Sequence, residues 1–142
     1  MIKSLPLLLI SALIFSCKKS DTKQSCSLDM TSLAGTYKIT TYIYQASPTT
    51  PPQDFTDIFL PNPCERDDLV TLSAIGQYVY TDAGVVCSPP RDTTGTWSLT
   101  GATLILDGTV TMVKSFNCQT LVLANTNVSQ PGDEVDITFV RQ

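Results

Sequence analysis

From Asp68 to Tyr80 the chain alternates around a turn. Val70 and Leu72 are apolar, Ala74-Ile75-Gly76 interrupts the run, and Tyr78 and Tyr80 resume it at the same spacing. Period-two patterning across a glycine-containing turn predicts a β-hairpin. A three-residue loop with Gly76 in the left-handed last position sets Leu72 opposite Tyr78 and Val70 opposite Tyr80, so that one face is continuously apolar. A two-residue loop would set Leu72 opposite Val79 and part the tyrosines from the aliphatics, so the first register is preferred.

The same alternation predicts further strands. Tyr37 to Tyr44 places Tyr37, Ile39, Thr41 and Ile43 on a buried face, with Lys38, Thr40, Tyr42 and Tyr44 on a wetter one. Thr94–Leu99, Ala102–Leu106, Val110–Phe116, Leu121–Ala124 and Glu134–Val140 follow. They are joined by turns at Thr100-Gly101, at Asp107-Gly108, which is a type I′ signal, and at Asn117-Cys118-Gln119. Trp97 and Leu99 share a face that is expected to point inward with Leu104, Leu106, Leu121 and Leu123. Ahead of the first strand, Leu28, Met30 and Leu33 fit one helical turn capped by Ser27. Pro48, Pro51, Pro52, Pro61 and Pro63 keep 46–63 out of any central strand, and Phe55, Ile58, Phe59 and Leu60 fit a helical turn within it. The sum is an all-β chain, an antiparallel up-and-down barrel of about eight strands. A barrel is favoured over a sandwich because nearly every link is a hairpin and none is a long crossover. Such a barrel is wide enough for side chains or for one small ligand.

The N-terminus adds a compartment. Lys3 precedes an apolar run from Leu5 to Phe15, far short of the ~20 residues a membrane span requires. Ile14-Phe15-Ser16-Cys17 resembles the lipobox of bacterial lipoproteins, which implies cleavage before Cys17 and acylation of that cysteine. The expected organisation is therefore a signal peptide at 1–16, an acylated tether with a short helical turn at 17–34, and a barrel domain at 35–142. The expected location is the outer membrane, facing the periplasm or the cell surface, with the lipid on Cys17 as the membrane partner. The 142-residue chain carries a net charge of −4, and loss of Lys3 makes the remainder one unit more acidic. An acidic chain without a basic run is a poor partner for nucleic acid.

Four cysteines remain after lipidation, and an even count in an exported chain favours bridges. Cys64 and Cys87 lie at nearly equal distances from the hairpin turn, one place off register, which a bulge or the turn at Asp82-Ala83-Gly84 absorbs. If they pair, Cys26 and Cys118 are left to pair with each other. No C-x-x-C pair and no histidine occur, so a zinc site is not expected.

Leu33-Ala34-Gly35-Thr36-Tyr37, Cys64 with Asp67-Asp68, Gly76 with Tyr78, Cys87, Gly95-Thr96-Trp97-Ser98-Leu99, Leu121-Val122-Leu123 and Thr138-Phe139-Val140-Arg141 together resemble the lipocalin-like (calycin) domains of Gram-negative bacterial lipoproteins. The resemblance implies a barrel that binds or carries a small hydrophobic molecule. Lipocalins usually carry tryptophan in the first-strand motif, beneath an arginine from the last strand. Here Tyr37 takes that place, with Arg141 as its candidate cation–π partner. The residues expected around a ligand are Tyr37, Ile39, Leu72, Tyr78, Trp97, Leu104, Phe139 and Arg141. In a hollow barrel such a ligand would lie near Trp97, the only tryptophan. The alternative is a filled barrel, a non-catalytic surface module binding a protein or glycan partner through its outer face or the 46–63 loop.

The absence of histidine removes the commonest general base and the Ser-His-Asp and Cys-His constellations. Glu65, Asp67 and Asp68 are read as solvated charges at a strand start, and Asp133, Glu134 and Asp136 likewise. No catalytic residue, metal site or cofactor is expected, and the protein is expected to act as a monomer. Asn127-Val128-Ser129 matches a glycosylation triplet in the wrong context for a bacterial lipoprotein. Asp92-Thr93-Thr94 resembles an acceptor triplet of some periplasmic O-glycosylation systems.

Overall fold

The computed structural model describes residues 26–142. The signal peptide at 1–16, Cys17 and the tether up to residue 25 lie outside the described residues. In chain order the elements are α1 (Met30–Leu33), β1 (Gly35–Gln45), β2 (Gln53–Asp54), α2 (Thr56–Phe59), a 3-10 turn (Pro63–Glu65), β3 (Leu69–Leu72), β4 (Gln77–Thr81), β5 (Thr93–Thr100), β6 (Thr103–Leu106), β7 (Thr109–Phe116), β8 (Thr120–Thr126) and β9 (Glu134–Arg141).

The first hairpin takes the preferred register. Leu72 pairs with Tyr78 and Val70 with Tyr80. The Gly76 N–H donates to the Ser73 carbonyl at 3.1 Å, and Gly76 holds φ +84°, a conformation that a side chain disfavours. At the β6–β7 turn Asp107 and Gly108 have φ of 46° and 85°, the two positive angles a type I′ turn needs. Every sequential strand pair from β3 to β9 is antiparallel, and β9 pairs back onto β1 over Tyr37–Gln45. The two-residue β2 sits beside the far end of β1, and the other eight strands close into a ring.

Two elements differ from the sequence reading. The cap of α1 is Asp29 rather than Ser27: its carboxylate accepts the Ser32 N–H at 2.8 Å, and the Ser27 hydroxyl supports it from outside. The second difference reverses half of a strand. The β1–β9 register shifts between Ile39 and Thr41, so Thr40 is an unpaired bulge. Ile39 faces Phe139, but beyond the bulge Tyr42 faces Ile137 and Tyr44 faces Val135. Phe139, Ile137 and Val135 alternate along one face, so Tyr42 and Tyr44 point inward. Thr41 and Ile43, expected inside, point out. A bulge adds one residue to one strand and inverts every later side chain.

The two ends of the ring differ. At the closed end α1 plugs the barrel beside the β3–β4 turn, whose Ser73 and Gly76 carbonyls accept the Trp97 indole and backbone N–H groups at 2.9 and 2.8 Å. Above this plug Leu33, Tyr37, Leu72, Trp97, Leu104, Val113, Leu121, Leu123 and Phe139 pack into one buried cluster. Tyr37, Leu104 and Leu121 are each 1% exposed, which leaves no room for a water molecule beside them. The open end carries the long connections 46–68 and 82–92 and the loop 127–133.

Cys64 and Cys87 are bonded, with Cα atoms 5.2 Å apart, at the open end. Cys26 is bonded to Cys118 in the β7–β8 turn, with Cα atoms 5.6 Å apart, at the closed end.

Candidate functional site at the open end of the barrel

The sequence places Tyr37, Ile39, Leu72, Tyr78, Trp97, Leu104, Phe139 and Arg141 on the inner face, and the pairing of the strands brings them together there. Tyr37, Leu72, Trp97, Leu104 and Phe139 belong to the buried cluster, with Ile39 and Tyr78 packed against it. The Tyr78 ring crosses Gly95, where an added Cβ would overlap both Tyr78 and Asp107, and its hydroxyl donates to Asp107 at 2.6 Å. Asp107 also accepts the Thr96 N–H at 2.7 Å, and these bonds hold its carboxyl below the ordinary range while pushing the Tyr78 hydroxyl up. The glycine of the Gly-Thr-Trp run thus provides the space that lets a tyrosine cross the sheet.

Partly exposed inward surface lies at the other end. Tyr42 and Tyr44 are intermediate in burial, as is Tyr80 across the mouth. The turn of α2 lies over two of these rings. Phe59 stacks on Tyr42 with centroids 4.9 Å apart and planes at 22°, and Phe55 stacks on Tyr44 at 5.0 Å and 20°. The cover is tied to β1 by two bonds: the Tyr42 N–H donates to the Thr56 hydroxyl at 2.9 Å, and the Phe55 N–H to the Tyr42 carbonyl at 2.8 Å. From the far side Arg66 donates to the Leu60 carbonyl at 3.0 Å and to Asp57 at 2.8 Å. Tyr42 and Tyr44 were placed on the wetter face because the bulge at Thr40 has no local signature in the residue pattern, and Phe55 and Phe59, expected on a helical turn of the 46–63 loop, had no predicted partner inside the barrel.

The acids at this end are also not where exposure statistics place them. Glu65, Asp68, Asp82 and Asp133 are buried at 7%, 5%, 6% and 1% exposure. Each is buried because it satisfies loop donors that would otherwise lack partners. Asp133 accepts the N–H groups of Val128, Ser129 and Gln130 at 2.7–2.9 Å and the Tyr44 hydroxyl at 3.3 Å. Asp82 accepts from the N–H groups of Cys87 and Arg91. Asp68 accepts the Tyr80 hydroxyl and the Ala83 N–H. Glu65 accepts the Asn62 N–H at 3.1 Å and pairs with Arg91. The rim is therefore stiffened by buried carboxylates as well as by the Cys64–Cys87 bridge.

Burial, with the nearby charge of Glu65, pushes the Tyr42 hydroxyl above its ordinary pKa. Burial and the bond to Asp68 push Tyr80 higher still. These phenols stay protonated at neutral pH, so the mouth offers neutral aromatic faces with hydroxyl groups at its margin. Among the described residues no three His, Cys, Asp or Glu side chains are grouped to hold a metal ion.

Compared with curated proteins, the chain has no match. The family model for the lipocalin-like domain matches residues 33–123, from the last residue of α1 into β8. The matched stretch holds the last residue of the plug, the Gly-Thr-Trp strand, six whole strands of the ring and the first part of β8, and β9 beyond it completes the closure. A closed antiparallel barrel plugged at one end and matched over most of its length fixes the assignment: this chain belongs to the lipocalin-like domain family.

Proposed function

We propose that this protein is a non-catalytic binding protein of the bacterial envelope, held to the membrane by a lipid on Cys17, that takes a small apolar molecule at the open end of its barrel. The family favours small-molecule binding. The observation that carries the reading is the division of the interior: the closed half is filled by its own side chains, while Tyr42, Tyr44 and Tyr80 at the mouth keep part of their aromatic surface. Phe55 and Phe59 cover two of these rings from a single helical turn. A flat or apolar ligand competes with two stacked pairs, each contributing about 0.5–1.5 kcal/mol beyond its buried area. Opening the cover is therefore within the reach of a modest ligand. The protein works as a monomer, with no cofactor and no nucleic-acid partner.

Two experiments address the two halves of this reading. Replacing Cys17 by Ala moves the protein from the membrane fraction to the soluble periplasmic fraction, and unchanged partitioning removes the anchor. A ligand that raises the melting temperature of the wild-type domain loses that effect in Tyr42→Ala, and an undiminished effect removes the mouth as the site.

A second reading has its own support. Ile58, Val85 and Val86 on the rim loops are 65%, 63% and 58% exposed, although the rim is held rigid. Fixed exposed apolar residues suit a surface module that binds a protein or glycan partner through the outer face or the 46–63 loop.

A further inference from the structure

The Cys26–Cys118 bridge decides which end of the barrel the tether leaves. Cys118 lies in the β7–β8 turn. That turn shares the closed end with α1 and the C-terminus: the Arg141 N–H donates to the Gln119 carbonyl at 2.8 Å, and its guanidinium to the Ser32 carbonyl at 2.6 Å. Only nine residue steps separate Cys17 from Cys26, a reach of about 30 Å when fully extended. The closed end is thus tethered close to whatever surface holds Cys17.

That end carries an apolar residue with no role in the fold. Ile75, at the tip of the β3–β4 turn, is 83% exposed and lies outside the packed cluster. The turn requires Gly76, but position 75 ordinarily takes a small polar residue. Leu28, 36% exposed, stands two residues before Met30, whose terminal methyl reaches to 3.6 Å from the position a Cβ on Gly76 would take. The apolar residues of α1 and of this turn therefore adjoin.

We propose that the closed end is a membrane-docking foot, with Ile75 entering the interfacial layer of the bilayer in which the Cys17 lipid is anchored, so that the open end is presented away from the membrane. This rests on the lipid-anchor reading. One isoleucine binds a bilayer weakly when free in solution, but the lipid already holds the domain at the surface, so docking is an intramolecular step. The tether contributes Lys18, Lys19 and Lys23 against one acid, Asp21, a balance suited to anionic headgroups. The open end also exposes apolar residues, Ile58 and Phe59 among them. However, Asp54 and Asp92 there are exposed acids, which anionic headgroups repel, while Arg66 and Arg91 at the same end are paired with Asp57 and Glu65. A tether leaving the far end would also spend most of its reach running the length of the barrel, since an eight-residue strand such as β5 spans about 26 Å.

The test uses the full-length, acylated protein in vesicles of phosphatidylethanolamine and phosphatidylglycerol doped with a lipid bearing a nitroxide near its headgroup. Two variants, Ile75→Trp and Ile58→Trp, place an indole at each end, and Trp97, 3% exposed, is the same buried background in both. The Ile75→Trp emission is expected to shift to the blue and to fall about twofold on adding the nitroxide lipid, the depth of an interfacial side chain. Ile58→Trp is expected to stay unquenched. With acylation of the Cys17 peptide verified by mass, an unquenched Ile75→Trp overturns the docking foot and leaves the anchor standing. Quenching of Ile58→Trp instead reverses the orientation. A Cys17 peptide without acyl mass overturns the anchor and the proposal with it.

Discussion

The guanidinium of Arg141 lies 5.2 Å from the centroid of the Tyr37 ring, and one of its nitrogens donates to the Tyr37 hydroxyl at 2.7 Å. That hydroxyl donates in turn to the Leu33 carbonyl at 2.8 Å. The first strand, the last strand and the helical plug therefore meet at one phenol. A tyrosine in the position lipocalins usually give to tryptophan keeps the cation–π contact and adds a hydroxyl that bonds in both directions.

Tyr37→Phe leaves the buried Leu33 carbonyl without this donor and deprives Arg141 of an acceptor. The expected loss is about 1–3 kcal/mol, the usual cost of stranding a buried polar group. Urea denaturation of the soluble domain measures it, and an unchanged midpoint would show that the ring alone matters.

The hairpin register, the type I′ turn and the Cys64–Cys87 bridge follow from short-range features of the sequence: alternation, Gly76, Asp107-Gly108 and two cysteines nearly equidistant from the turn. The pairing of Cys26 with Cys118, 92 residues apart, was only what remained once that bridge was made. The barrel mouth was not legible in the same way. Its orientation depends on one extra residue, Thr40, and an unpaired threonine in a run of strand formers looks like any other. The buried acids were missed for a related reason. Whether Asp68 or Asp133 is solvated depends on which loop N–H groups return to it, and those come from up to 15 residues away in the chain for Asp68.

Gly95→Ala tests the crossing of Tyr78 over β5. The added methyl collides with the Asp107 carboxylate and with the Tyr78 ring, so both must move and the bond between them is disturbed. Destabilisation of about 1–3 kcal/mol is expected from such overpacking. A variant as stable as the parent, measured by thermal melting, would mean that Tyr78 has another comfortable position.

The Cys64–Cys87 bridge joins residues 23 apart in sequence and holds both rim loops. Replacing both cysteines by Ala is expected to cost about 2–5 kcal/mol. Non-reducing peptide mapping of the wild type recovers Cys64 linked to Cys87 and Cys26 linked to Cys118. Any other linkage contradicts the rim described above.

Acid sensitivity follows from the buried carboxylates. The Asn62 N–H holds Glu65 below its ordinary pKa against the opposing effect of burial, with Arg91 assisting. Burial pushes Asp133 up, but the N–H groups of Ser129, Gln130 and Val128 together bring it below its ordinary value. A carboxyl whose pKa is lower in the folded state contributes stability that is complete above its unfolded value and is lost as pH falls through the folded one. The melting temperature is therefore expected to decline below about pH 4, where unfolded carboxylates titrate. Asp133→Asn should make that decline shallower, and an equally steep decline in the variant would exclude Asp133 as a contributor.

Under the proposed function, the closed half of the barrel is solid and an apolar ligand binds at the mouth, away from Trp97. The most direct measurement is a titration of the folded domain with a panel of fatty acids, which do not absorb in the indole emission range, reading melting temperature and Trp97 fluorescence on the same samples. At least one ligand is expected to raise the melting temperature, because binding to the native state must stabilise it, while the emission of Trp97 stays where it was. A shift in Trp97 emission that saturates together with the rise in melting temperature would place the ligand beside the indole and contradict the solid interior.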